Sequence, residues 1–298
     1  MKYVITGGAG HISKPLAEKL LKAGHDVTVV GRSAENLKPI TDLGATAAIG
    51  SVDDTGFLTK AFAGADAVYT MVPPNYGTSN WKQYIGQIGK NYTEAIRANN
   101  IQYVVNLSSI GAHLPDGAGP VSGLYLVEQS LNTLKDVNIK HLRPSYFFAN
   151  LLANTGMVKH MNIIGSNFGG KDFKLVLVHT NDIAEAAAEE LLQLAFTGQS
   201  IRYIASDEKS TDEIAGVLGT AVGKLELPWV VFSNEQALGG MIQAGLPEEI
   251  AKNYAEMGNA IQTGVMQEDY WKNKPVLGRV KLEDFAKEFA AVYNIPLS

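Results

Sequence analysis

A chain of 298 residues is long enough to bury a full core, as one large domain or as a main domain with a smaller lobe. Hydrophobic residues make up 46% and charged residues 18%, which argues for a globular protein and against disorder. A formal net charge of -5 with no Lys/Arg block argues against a nucleic-acid partner, and the lack of any cysteine excludes disulfides, thiolate nucleophiles and cysteine-based metal sites.

Met1-Lys2 leads straight into VITGG (4–8), a buried strand too short for a signal-peptide core or a membrane span, so a soluble, cytoplasmic protein is expected. Ser13 to Ala23 follows as a helix with Leu16, Ala17, Leu20 and Leu21 on one stripe, stopped at Gly24. DVTVVG (26–31) is a second strand, AENLKPITDLG (34–44) a short helix, ATAAIG (45–50) a third strand and DTGFLTKAFAG (54–64) another helix. ADAVYTMVP (65–73) is a fourth strand, 81–100 a longer helix, 101–109 a fifth strand, 124–136 a helix and 139–145 a sixth strand.

Six alternations of strand and helix, with Val/Ile-rich rather than in-out strands, call for a parallel sheet covered on both faces. Right-handed crossovers leave the doubly wound dinucleotide-binding fold as the leading topology. After Ser145 the rhythm changes. FKLVLV (173–178) and SIRYIAS (200–206) read as strands around a helix at 181–196; 211–223, 246–264 and 282–293 read as helices, and LPWVVF (227–232) is ambiguous. The expected division is a dinucleotide-binding domain over 1–150, completed by roughly 173–206. A small, mostly helical substrate lobe spans 151–298, and its 241–257 stretch is a candidate mobile cover for the cleft, which glycine content alone does not establish.

The turn Thr6-Gly7-Gly8-Ala9-Gly10-His11-Ile12 sits between the first strand and the first helix. Glycines let the backbone approach a ligand closely, and the free amides and positive helix end attract a diphosphate. Gly7 and Gly10 keep the dinucleotide spacing; the third glycine position falls near Ser13, the smallest available substitute. The second strand ends in Gly31-Arg32-Ser33, where an NAD-specific site would place an acid for the ribose. Arg32 can pair with a 2′-phosphate and lie against adenine, and Ser33 adds a donor, so NADP(H) is favoured over NAD(H).

The chemistry belongs outside the carboxyl ends of strands four to six, beside Met71-Val72-Pro73-Pro74, Ser108-Ser109 and Arg143-Pro144-Ser145-Tyr146. Tyr125 stands where a proton donor is wanted, but Gln129 occupies the place four residues on where a lysine would lower its pKa. His113, just past strand five, is the other candidate donor. Each also reads as an ordinary wall or loop residue. No spaced His/Asp/Glu set makes a metal site, and no G-x-S-x-G elbow supports a hydrolase.

Taken in order, VITGGAGHISKPLAEKLLKAGHDVTVVGRS, VYTMVPP, YVVNLSSIGAH, LRPSYFFANLL, VHTNDIAEAAAEEL and YIASDEKSTDEIAGVLGTAVGK resemble the NmrA-like family of atypical short-chain dehydrogenases/reductases over nearly the whole chain. The resemblance implies a Rossmann domain binding NAD(P) and a small lobe closing a cleft. It puts Gly7, Gly10 and Ile12 on the phosphate turn, Arg32 at the 2′-phosphate, Pro73 beside the nicotinamide ribose and Asn150 at the cleft rim. His11, Ser33, Val52, Asp53 and Ser108 are further expected cofactor contacts, Asp53 as a replacement for an adenine contact. This chain departs at Ser51, where the family has aspartate, and at Leu124, where enzymatic members often carry lysine. Two functions stay open. One is an NAD(P)H-dependent oxidoreductase of low specificity acting on a quinone or similar apolar, aromatic acceptor. The other is an NADP(H)-sensing regulator that turns over nothing and binds a protein partner. A homodimer is compatible with either.

Overall fold

The computed structural model describes residues 1–295. Its first half alternates as the sequence predicts: β1 (Lys2–Ile5), α1 (Ser13–Lys22), β2 (Asp26–Gly31), α2 (Ala34–Thr41), β3 (Thr46–Ile49), α3 (Thr55–Ala61), β4 (Ala67–Thr70), α4 (Trp81–Ala98), β5 (Tyr103–Leu107), α5 (Pro120–Leu131) and β6 (Asn138–Pro144). Beyond them come β7 (Tyr146–Phe147), a 3-10 helix (Phe148–Asn154), α6 (Thr155–Met161), β8 (Ile164–Ser166), β9 (Lys174–Val178), α7 (Thr180–Gln193) and β10 (Gln199–Ile204). The chain continues through β11 (Asp207–Ser210), α8 (Thr211–Ala221), β12 (Trp229–Val231), α9 (Asn234–Gln243), α10 (Glu248–Gln262), α11 (Glu268–Lys272) and α12 (Leu282–Tyr293).

Seven strands form one parallel sheet in the order β10-β6-β5-β4-β1-β2-β3, with Val4 beside both Thr28 and Val68. The chain reverses direction across the sheet between β1 and β4, which opens a crevice at the carboxyl ends of those strands. Alternation along β1 sends its side chains to two separate layers. Tyr3 and Ile5 pack with Leu16 and Leu20 of α1 and Ile183 and Leu191 of α7. Val4 packs on the other face with Val30, Val68, Tyr92 and Val127 under α4 and α5. Both faces being covered is why the strands read as unbroken apolar runs.

From the returning segment 173–206, β10 joins β6 in parallel and α7 docks on α1, where Lys19 and Glu185 pair at 2.5 Å. The strand β9 does not enter the main sheet. It lies between β7 and β11 in a three-stranded sheet, and the ambiguous 227–232 stretch supplies β12, paired with β8. Around these small sheets the lobe has its own core, with Phe148 and Phe285 stacked at 5.3 Å between ring centres. Helix α5 starts at Pro120, four residues before the sequence periodicity suggests. Gly119 makes the turn with φ +57, and Pro120 follows as a first helical residue whose missing N–H is not needed there. A side chain at Gly119 would run into the Asn253 carbonyl of α10, so this glycine also lets the lobe close against the main domain.

Candidate cofactor and acceptor site

The β1–α1 turn has the geometry of an anion cradle. Gly7 and Gly8 hold φ of +100 and +59, which side chains rarely adopt, and the Gly8 amide donates to Val30 O at 2.9 Å. A Cβ on Gly7 would lie 2.5 Å from Ser13 Oγ and 2.9 Å from Met71 Cγ, so only glycine fits between the turn and the end of β4. Ser13 donates its hydroxyl to Thr6 O at 2.9 Å, bracing the turn from inside. The His11 and Ile12 amides make no hydrogen bond among the described residues, and no acid sits in the first turn of α1. Unspent donors at the positive end of a helix, with backbone exposed at Gly10, fit a diphosphate.

One strand over, Arg32 is exposed and forms no ion pair among the described residues. Ser33 Oγ caps α2 by accepting from the Asn36 amide at 3.3 Å, which leaves its own proton unspent. Asp53 takes the Ser51 hydroxyl at 2.6 Å, so Ser51, standing where the family has an acid, orients the acid two residues on. Buried Asn91 of α4 donates to Val52 O and Asp53 O at 3.1 and 3.0 Å and so fixes this loop from below. Tyr84 of the same helix faces both Asp53 and Arg32; burial, with the Asp53 charge, raises its phenol pKa. Asn91 and Tyr84 are site-shaping residues that sequence reading missed. Their polar character inside an apolar helix stripe was the available signal.

A cavity of about 320 Å³ opens beyond the ends of β4, β5 and β6, under α10. Met71, Val72 and Pro74 form one wall, Ser108, Ser109 and Ile110 the floor, and Leu124, Tyr146, Asn150, Tyr254 and Met257 the rest of its mouth. Met71 is shared with the phosphate turn, so cradle and cavity are contiguous. Pro73 is half-buried next to this wall. No ionisable acid, lysine, arginine or histidine lines the cavity. Burial pushes the Tyr146 phenol well above its ordinary value, and burial followed by the Tyr76 hydroxyl does the same to Tyr254.

Ser108 donates to Glu128 Oε1 at 2.5 Å. Glu128 is gripped by Arg143 through Nε at 3.0 Å and Nη2 at 2.7 Å, and Arg143 reaches on to the Tyr203 hydroxyl, which donates to Asp269. Serine has one proton, already given to the carboxylate, so Ser108 offers the cavity lone pairs rather than a donor. His113 stands beside this chain, off the cavity wall; burial and the Arg143 charge lower its pKa. Tyr125 is half-buried on α5 and is not part of the wall either; its neighbour Leu124 is.

Residues 7–142 match the family described as NAD(P)H-binding. Over these residues the chain carries an NAD(P)H-binding Rossmann domain, consistent with the NmrA-like resemblance of its motifs. An uncharacterized oxidoreductase, YesF of Bacillus subtilis, is 25% identical over 98% of this chain and 96% of its own length. The triphenylmethane reductase of Citrobacter sp., solved with NADP(H), shares 20% identity and superposes with a TM-score of 0.78, covering 96% of this chain and 99% of that one. An NADPH-dependent quinone oxidoreductase of Escherichia coli, solved with NADPH, shares 17% identity at a TM-score of 0.80, with 96% and 99% covered. The likeness to these solved structures is one of fold. Among the described residues, no helix is long and apolar enough to cross a membrane, and no group of three His, Cys, Asp or Glu is placed to hold a metal ion.

Proposed function

We propose that the protein is an NADPH-dependent reductase of neutral, conjugated acceptors, quinones foremost. The observation that carries this reading is the uncharged, aromatic-walled cavity that shares Met71 with the phosphate cradle. It sits where the fold brings the reactive end of a dinucleotide against its substrate, and the names of the solved neighbours favour the same class.

When bound, the reduced nicotinamide supplies a hydride. The chain's own residues do the rest by orientation. The amides past Gly7 and Gly10 hold the diphosphate. Arg32, at a strand end with no acid, takes the 2′-phosphate and sets NADPH above NADH. Val52 and Asp53 border the adenine, and Pro73 and Val72 wall the ribose side. Ser108, its proton held by Glu128, accepts a hydrogen bond from the group lying on the floor. The product's proton comes from solvent, because no lining side chain titrates near neutrality.

The test is to supply the purified protein with NADPH and a panel of simple quinones while following oxidation of the reduced cofactor. Turnover well above the solution background is expected. Tight NADPH binding with a flat trace across the panel would replace this reading with the regulatory one, which the absent lysine at Leu124 favours.

A further inference from the structure

Two buried polar atoms in residues of the cavity wall have no partner among the described residues. Ser145 is 3% exposed at the end of β6, and Trp81 is 5% exposed at the start of α4. Ser145 Oγ and Trp81 Nε1 are both buried without a hydrogen bond among the described residues, and both residues line the cavity. Leaving such a group unsatisfied is costly, and folded proteins rarely do so. Of the other polar groups in the wall, Asn150 is exposed at the mouth, and four are already engaged. Ser108 donates to Glu128 at 2.5 Å and Ser109 to Ile110 O at 2.9 Å. Gln267 accepts from the Val176 amide at 2.9 Å, and Tyr254 pairs with Tyr76 at 3.1 Å.

We propose that Ser145 and Trp81 are specificity-determining donors that grip the oxygens of a flat, neutral dicarbonyl acceptor. The proposal rests on the reading of this cavity as the acceptor pocket. An indole N–H only donates, and the Ser145 hydroxyl has no acceptor among the described residues, so both call for acceptor atoms on the ligand. The two donors come from different sides. Trp81 opens α4 and Ser145 directly follows β6, so the donors stand on different elements of the wall and are assigned to two oxygens rather than one. The wall holds no charge, so a carboxylate or a cation entering it loses hydration without compensation. A hydrocarbon of the same shape leaves both donors buried and unpaired, and that is the source of discrimination.

Calorimetry with 1,4-naphthoquinone and with naphthalene, in saturating oxidised dinucleotide, tests this. The chain has no cysteine for the quinone to alkylate. Wild-type protein is expected to prefer the quinone by about tenfold or more, equivalent to about 1.4 kcal/mol. Ser145→Ala and Trp81→Phe each reduce that preference, and the double variant binds both ligands about equally. Because its hydroxyl is unsatisfied in the free protein, Ser145→Ala melts at the same temperature as wild type or higher, whereas a packing role would lower it. A wild type that does not distinguish the ligands, variants that keep the preference, or a Ser145→Ala protein that melts lower would each overturn the proposal. Selective quinone binding without oxidation of NADPH overturns the reductase reading and leaves the donors standing. Turnover with the preference intact in both variants does the reverse.

Discussion

Arg32 is exposed and free of ion pairs among the described residues, at the end of a strand that offers no acid. Its charge therefore has little to do in the folded chain and much to do with a phosphate. A hydrogen bond to a charged group is worth about 1.5–3 kcal/mol. Arg32→Ala is accordingly expected to weaken NADPH about 10- to 100-fold while leaving NADH nearly unchanged, read by fluorescence titration of the two reduced cofactors. Equal losses would remove the phosphate assignment. At the same scale, Ser13 shows what sequence can and cannot tell. That a small residue replaces the third glycine is legible from spacing. That its hydroxyl ties the turn to Thr6 O is not, because the bond depends on where that carbonyl points once the turn is closed.

At the scale of elements, β5, β6 and α5 are joined by a buried polar chain. Thr70 Oγ1 donates to Asn106 Oδ1 at 3.0 Å, Asn106 Nδ2 lies 3.1 Å from His141 Nδ1, and His141 Nε2 lies 2.9 Å from Asn132 Oδ1. This sequence of donors leaves Nδ1 as an acceptor and the ring neutral. Burial lowers the His141 pKa, ahead of the smaller effects of Glu128 and Arg143. The unfolded chain, with histidine near its ordinary value of about 6.5, then binds a proton that the folded chain refuses. Stability is full above that pH and falls as pH drops below it, by at most about 1.4 kcal/mol per pH unit for this group. Denaturant melts between pH 7.5 and 5 check the slope, which His141→Gln is expected to flatten; His113, also lowered, contributes in the same direction. The main elements were legible because both faces of each strand are covered and each helix has one apolar stripe. The short strands β7, β8 and β11 were not, since two to four residues show no period.

Across the whole molecule, the line Ser108–Glu128–Arg143–Tyr203–Asp269 runs from the cavity floor through the parallel sheet to α11 in the lobe. It fastens the two parts of the fold at the site they share. Removing one partner from a buried ion pair costs about 3–5 kcal/mol because the other charge is left uncompensated. Glu128→Gln is therefore expected to lower unfolding free energy by about that amount, measured by chemical denaturation, with Asp269 holding part of the Arg143 charge. The existence of two lobes and a cleft between them could be read from the change of rhythm after Ser145. The fastening could not, because its bonded partners lie up to 126 residues apart and each alone is an ordinary polar residue.

Leu124 meets the cavity from α5 with a branched hydrocarbon. Unlike a lysine, it gives no cationic acid to a strongly basic alkoxide as it forms, so simple aldehydes and ketones are expected to react far more slowly than quinones. A quinone yields a phenolate-type oxygen, whose conjugate acid has a pKa of about 10, and it can depart before being protonated. If the proposed reduction occurs, log rate climbs with reduction potential among accepted compounds, and exchanging H₂O for D₂O barely slows it.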